Sequence, residues 1–317
     1  MITVWAPDGV GEVRRGDDLA DLLLPLVDPV DGDIVCVTSK AVSKAEGQVR
    51  AGDRAEAVAA ETVRLVARRG PLSVVVNRLG LTMAAAGVDA SNVEPGHVVL
   101  LPEDPDASAR ALRAAVAART GANVGVLVTD TAGRAWREGQ TDIAIGAAGL
   151  VVVDDHAGRT DAYGNDLQVT APAVADELAG AAELAAGKLR GRPFTVVRGR
   201  GDLVLPPGDD GPGADGLLRP AGSDLFGLGA REAVLAALSA DPGQRRAFGA
   251  PADPDELAGL LKGLLGDGAA VTGRGDVVAV ATEDPRARWV AEVAAYAHGW
   301  RTGAGDGAPL LLRPDRP

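Results

Sequence analysis

The run Val124-Gly-Val-Leu-Val128 feeds directly into Thr129-Asp-Thr131, and this junction constrains the chain more than any other stretch. Val126, Leu127 and Val128 form an uninterrupted apolar segment, which reads as a strand buried on both faces inside an α/β sheet. The strand ends in a carboxylate and two hydroxyls. A loop with two glycines and two arginines, Ala132-Gly-Arg-Ala-Trp-Arg-Glu-Gly139, is expected to follow. Strand ends are where α/β proteins place ligands, and hard oxygens beside guanidinium groups suit a divalent metal holding phosphates. A capped turn after a core strand accounts for the same residues.

The rest of the chain supports an α/β class with mixed sheets. Strands are expected at Ile2–Trp5, Ile34–Thr38, Ser73–Val76, Val98–Leu101, Val124–Val128, Leu150–Val153 and Phe194–Val197. Helices are expected over Leu19–Leu26, behind the acidic Gly16-Asp-Asp18 turn, and over Glu56–Arg69, Ala107–Arg119 and Ala173–Lys188. Pro206 to Gly216 reads as a Pro/Gly/Asp loop, and a helix over Arg231–Ser239 ends at Asp241-Pro-Gly243. The tail then shows helix, strand, helix, strand: Glu256–Leu265, Val277–Ala281, Arg286–His298 and Leu310–Leu312. These patterns predict a main domain over 1–240 and a small α+β extension over 241–317.

Charge excludes one partner class. A net charge of −12 over 317 residues argues against broad binding to a nucleic-acid backbone, although a nucleotide needs only a local positive pocket. No apolar run reaches the roughly 18 residues of a membrane span, and the start, Met1-Ile-Thr-Val-Trp5, lacks the form of a signal peptide. A soluble, cytoplasmic protein is expected. Cys36, the single cysteine, lies in Ile34-Val-Cys-Val37 and reads as core.

The basic residues are unevenly chosen. Only Lys40, Lys44, Lys188 and Lys262 are lysine among 32 lysines and arginines, and two of them fall within Ser39–Lys44. Ammonium groups are compact point charges that suit phosphate oxygens. A second break from apolar to polar occurs at Ala86-Gly-Val-Asp-Ala-Ser-Asn92, after Asn77-Arg-Leu-Gly80. Asp89 and Asp130 both follow apparent core segments, so a shared rim is open to them, although the sequence alone does not bring residues 41 positions apart into contact. Asp161-Ala-Tyr-Gly-Asn-Asp166 and Ala175-Asp-Glu177 add carboxylates, the latter at a helix start where acidic residues also complement the helix dipole. No phosphate loop of the G-x-x-x-x-G-K-[ST] type and no G-x-G-x-x-G fingerprint is present. His97, His156 and His298 stand apart without metal-ligand spacing and read as structural or surface residues.

Taken together, Val37-Thr-Ser-Lys-Ala-Val-Ser-Lys-Ala-Glu-Gly47, Asn77-Arg-Leu-Gly80, Ala86–Asn92 and Thr129-Asp-Thr-Ala-Gly-Arg-Ala-Trp-Arg137 resemble the coenzyme F420-0:L-glutamate ligases. Gln140–Gly149, Tyr163-Gly-Asn165, Ala175–Glu177 and Val196-Val-Arg-Gly199 continue the resemblance, which spans roughly residues 1–235. It implies a GTP-dependent amide ligase. GTP would phosphorylate the carboxylate of the lactyl-phosphate arm of F420-0, and L-glutamate would then attack the acyl phosphate to give F420-1 or longer tails.

The resemblance also implies an unusual α/β fold in an intertwined homodimer, two Mg2+ or Mn2+ ions per site, and K+. Carried over residue by residue, the metal ligands fall on Asp89, Asp130 and Thr131. The nucleotide contacts fall on Val10, Gly11, Glu12, Val13, Ser39, Lys44 and Asn92, and Asp89, Asp130 and Lys44 form the catalytic set. Arg134, Arg137 and Arg198 are further candidates as anchors for substrate phosphate or carboxylates. In many relatives the ligase is fused to a flavin-binding nitroreductase-like domain, for which residues 241–317 are too short. A kinase or ligase acting on another acceptor, and a non-catalytic GTP-binding regulator, are the alternative readings.

Overall fold

The computed structural model describes residues 1–220, 222–303 and 309–315. They form two compact units, one of residues 1–65 and 70–218, the other of residues 66–69 and 219–317. The second unit thus begins at Arg219 rather than near 241, because helix Ala230–Ser239 packs on helix Pro285–Ala297 within it. The class is mixed α/β.

In the first unit the chain order is β1 (Thr3–Trp5), α1 (Leu19–Leu23), β2 (Ile34–Thr38), α2 (Ser39–Glu46), β3 (Val49–Ala51), α3 (Arg54–Glu61) and β4 (Thr62–Arg69), whose last four residues are assigned to the second unit. It continues with β5 (Leu72–Asn77), β6 (Thr82–Ala84), β7 (His97–Val99), α4 (Pro105–Thr120), β8 (Gly125–Arg134), β9 (Arg137–Ala148), α5 (Val174–Ala186) and β10 (Phe194–Arg198). The main sheet has the order β1-β10-β2-β8-β9, with β2 and β8 parallel and the other pairs antiparallel. Val126 and Val128 face a core that includes Leu112 and Val116 of α4 and Val42 of α2. Leu127 faces the other way, with Leu178 and Ala182 of α5. This two-sided burial is what the apolar run of β8 required.

Smaller sheets, β3-β7 and β4-β5-β6, complete the unit. Asp104 caps α4 by accepting from Ala107 N–H (2.8 Å), with Pro105 at the first helical position. Gly146 lets that helix start approach the sheet, since a Cβ there would lie 2.5 Å from the Pro105 backbone.

Three expectations are corrected. The helix expected over Glu56–Arg69 ends at Glu61, and Thr62–Arg69 is a strand. Thr62-Val-Arg-Leu-Val66 alternates with period two and is β-branched, which outweighs the helical spacing of its valines. The strand expected at Leu150–Val153 is only a bridge from Leu150 to Val204. The segment after Thr131, expected to be a loop, is instead a long hairpin of β8 and β9 closed at Ala135-Trp136. Its outer half is polar because it lies beyond the core, so hydrophobic periodicity could not reveal it.

The second unit contains α6 (Ala230–Ser239), α7 (Pro254–Leu265), β11 (Ala270–Arg274), β12 (Val277–Ala281), α8 (Pro285–Ala297), β13 (Trp300–Thr302) and β14 (Leu310–Pro314). Strands β11 and β13, absent from the expected tail, complete an antiparallel sheet ordered β11-β12-β14-β13. Leu257, Leu261, Val278, Val280, Trp300 and Leu312 fill its core. No helix among the described residues is long and apolar enough to cross a membrane.

Candidate functional site

Parallel β2 and β8 end side by side, with Thr38 opposite Thr129. From Thr38 the chain turns at once into α2, so the first turn of that helix lies beside the next residue of β8. Ser39 Oγ donates to Asp130 Oδ1 at 2.6 Å. Burial pushes the Asp130 carboxyl up, and the negative charges of Asp142 and Asp89 add to the shift. The Ser39 hydroxyl and the Thr131 backbone only partly offset them, leaving a pKa of about 6. A half-buried carboxylate with two others close enough to raise its pKa is a site that gains from a cation.

Asp89 approaches from a separate turn. Its backbone exchanges both hydrogen bonds with Val99 (3.0 and 2.8 Å), and Asn77 supports the preceding segment by donating to Ala86 C=O at 3.3 Å. The buried Asn77 also accepts from Leu79 and Leu81 N–H, which explains the Asn-Arg-Leu-Gly motif as scaffold. Arg78 likewise binds Glu61 and the carbonyls of Leu101, Pro102 and Glu103. Asp89 accepts from Ser91 and forms an ion pair with Lys40 at 2.5 Å. Burial pushes its carboxyl up, but the Lys40 and Ser91 hydrogen bonds outweigh that and hold it below the usual carboxylate range.

Lysines four apart lie on one side of a helix. Lys40 therefore reaches Asp89 while Lys44 reaches Glu12, with which it is paired. The Val10–Val13 segment and Ser39–Lys44 are thereby brought together, Val13 being part of the core and Glu12 exposed. Asn92 sits in the Asp89 turn with φ +56°, a conformation asparagine tolerates. Lys40 and Ser91 were not singled out in the sequence for this role. The i, i+4 spacing of the two lysines was the available signal.

Thr131 is placed differently. Side chains alternate along a strand, so Thr131 points to the face opposite Asp130. There its hydroxyl donates to Asp142 Oδ1 at 2.8 Å, and Thr129 donates to Asp142 Oδ2 at 3.2 Å. Lys188 contacts Thr131 and lies 3.7 Å from Asp142 and 2.9 Å from Glu183. Among the described residues, the Thr131 hydroxyl is thus engaged with Asp142 and Lys188 and does not join Asp89 and Asp130.

Arg198 is also remote. It stands beside the start of β2, where it holds the buried Asp33 through two 2.7 Å contacts and lies over Trp5. Its role there is structural. Arg134 and Arg137 are at the exposed hairpin tip. Asp161 closes its own turn by accepting from Tyr163 and Asn165, and Asp176 ties α5 to β9 through Ala144 N–H. Cys36 is buried, with its thiol pushed up to about 12 by burial and by Asp142.

No group of three or more His, Cys, Asp or Glu side chains among the described residues is placed to hold a metal. The donor chemistry of Asp89 and Asp130 nevertheless fits a hard divalent ion, since magnesium commonly takes one or two carboxylates and completes its shell with phosphate oxygens and water. The Lys40 ammonium on Asp89 marks the same demand for positive charge. A cleft of about 310 Å³ beside Arg78, Leu81, Asp106 and Ile145 is a separate feature. Its Arg78 and Asp106 are committed to backbone partners.

Residues 9–199 match the family described as F420-0:gamma-glutamyl ligase. The chain belongs to that family. It is 40% identical over 209 residues to the coenzyme F420:L-glutamate ligase of Methanopyrus kandleri, covering 59% of this chain and 83% of that protein. The protein of the same name from Archaeoglobus fulgidus is 40% identical over 218 residues (62% and 88%), and that of Natronomonas pharaonis 41% over 219 (61% and 84%). Val10–Val13, Ser39, Lys44, Asp89, Asn92, Asp130 and Thr131 all fall inside the F420-0:gamma-glutamyl ligase match. The second unit, apart from residues 66–69, falls outside it.

Proposed function

We propose that this chain ligates L-glutamate to F420-0, using GTP and a divalent metal, through an acyl-phosphate intermediate. The observation that carries the reading is the convergence of Asp130, Asp89 and the two α2 lysines at the end of β2 and β8. A bound Mg2+ or Mn2+ would supply charge stabilisation to the phosphates during transfer. Asp89 and Asp130 would hold it, with Ser39 fixing the Asp130 rotamer. Lys44, freed from the exposed Glu12, is placed to neutralise phosphate charge, and Lys40 does the same beside Asp89. The γ-phosphoryl group of GTP passes to the F420-0 carboxylate with release of GDP. The glutamate amine then attacks the acyl carbon, phosphate leaves, and the amine proton passes to phosphate or water.

Thr131 supports this set from the other face by fixing the strand beside Asp130. The exposed Val63, Leu65 and Leu72 supply an apolar face for a second copy, in keeping with a homodimer. The test is one incubation with F420-0, L-glutamate, GTP and manganese, read by mass spectrometry. Glutamyl addition that requires both GTP and metal is expected. GTP turnover without addition would move the activity to another acceptor, and no reaction would overturn the ligase reading.

A further inference from the structure

Beyond Ala132 the β8–β9 hairpin leaves the core, and its tip breaks three local rules at once. The closing turn places Trp136 at φ +61°, in a two-residue loop where glycine or asparagine ordinarily takes a positive φ. Trp136 is 86% exposed, so burial does not offset that strain. Arg134 and Arg137 lie directly opposite each other, an arrangement of like charges that disfavours the pairing. Arg134 contacts the Glu138 carbonyl at 3.4 Å, and neither guanidinium is paired with a carboxylate among the described residues. Places where a sequence works against its own fold are where function is expected.

Position relates the tip to the reaction. Asp130 and Ala132 share one face of β8; the register then shifts between Gly133 and Arg134, and Arg134 pairs with Arg137 at the tip beyond them. Four residues of strand put Arg134 about 13 Å from Asp130. In the order β2-β8-β9, α2 and its lysines follow β2, whereas the tip stands on the side of β9.

We propose that Trp136, Arg134 and Arg137 form the site for a flat heteroaromatic ring joined to an anionic arm, with Trp136 stacking on the ring and the arginines gripping the arm. F420-0 and GTP both have that form. The nucleotide phosphates are drawn to the α2 side, so the tip is assigned to F420-0; this assignment rests on the ligase reading above.

The test measures binding of F420-0 alone by equilibrium dialysis, and of GDP alone in parallel, to the full chain. Trp136→Gly relieves the backbone while removing the ring. It is expected to keep or raise the melting temperature, to weaken F420-0 about tenfold, and to leave GDP unchanged. Trp136→Phe should retain most of the F420-0 affinity. Arg134→Gln with Arg137→Gln should weaken F420-0 and flatten the salt dependence of its binding. Unchanged F420-0 affinity in Trp136→Gly overturns the assignment, as does a loss of GDP affinity in its place. If the wild type itself does not bind F420-0, the ligase reading fails and this assignment with it.

Discussion

Asp130 and Asp142 stand on opposite faces of one hairpin and meet opposite surroundings. Asp142 accepts two hydroxyl hydrogen bonds and lies 3.7 Å from the Lys188 ammonium. Asp130 is half-buried, has one hydroxyl from Ser39, and is pressed by the negative charges of Asp142 and Asp89, with the Lys188 ammonium as a weaker opposing charge. A neutralised carboxylate holds structure together. A carboxylate whose negative neighbours outweigh its cation keeps a demand for positive charge that a metal ion can meet, so the difference separates the scaffold face from the reactive face.

The largest expected effect tests that separation directly. Asp130→Asn removes the charge and keeps the shape. Glutamyl addition should fall by at least about a hundredfold, the scale of losing one group aimed at developing charge. The thermal midpoint should hold or rise near neutral pH, since an unfavourable buried charge is gone. Wild-type turnover in this variant would end the assignment of Asp130 to the metal.

Next comes the pH response of stability. Folded Asp130 keeps its proton up to about pH 6, whereas an unfolded aspartate releases it near its ordinary value of 3.8. Between those values the folded chain binds more protons, so this group's contribution is fully present below about pH 4 and is lost as pH rises through 6. The shift corresponds to about 2–3 kcal/mol. Denaturant unfolding of the wild type and of Asp130→Asn across this window should therefore show the wild type losing ground as pH rises. A gap that does not vary with pH would mean that Asp130 is not held protonated by its surroundings.

How much of this was legible in the sequence follows from how each residue is placed. The apolar run before Thr129 revealed β8, and the apolar-to-polar break at Asp89 revealed a second carboxylate on a rim. Both signals are local. The hairpin was not legible, because Arg137–Asp142 is polar and pairs beyond the core, where no periodicity marks burial. That error hid the alternation separating Thr131 from Asp130, and with it the role of Asp142. The place of Arg198 is hidden for a related reason. Its motif suggests an anion anchor, but antiparallel pairing of β10 with β2 carries it to the far end of the sheet, onto Asp33. Strand direction is a tertiary fact that the residues themselves do not announce.

Asp142→Asn sharpens the comparison from the other side. The amide keeps one acceptor for Thr129 or Thr131 but loses the charge beside Lys188, at an expected cost of about 1–2 kcal/mol in denaturant unfolding. Turnover should fall by less than tenfold. The pH midpoint assigned to Asp130 should move down, because one of its two repulsive neighbours has gone. Loss of activity as complete as in Asp130→Asn, with unchanged stability, would merge the two faces into one site.

The smallest effect is expected at Lys188. Its side chain is 58% exposed, so solvent screens both its 2.9 Å pair with Glu183 and its longer 3.7 Å pair with Asp142. Lys188→Met keeps the aliphatic stem and removes only the ammonium, and it should cost less than about 1 kcal/mol. Its value lies in the contrast with Asp142. If Asp142 is held mainly by the Thr129 and Thr131 hydroxyls, losing Lys188 barely changes stability and leaves glutamyl addition near the wild-type rate. A larger drop, shared by stability and activity, would show that the ammonium neutralises Asp142. Charge balance on the scaffold face would then be as finely set as its absence around Asp130.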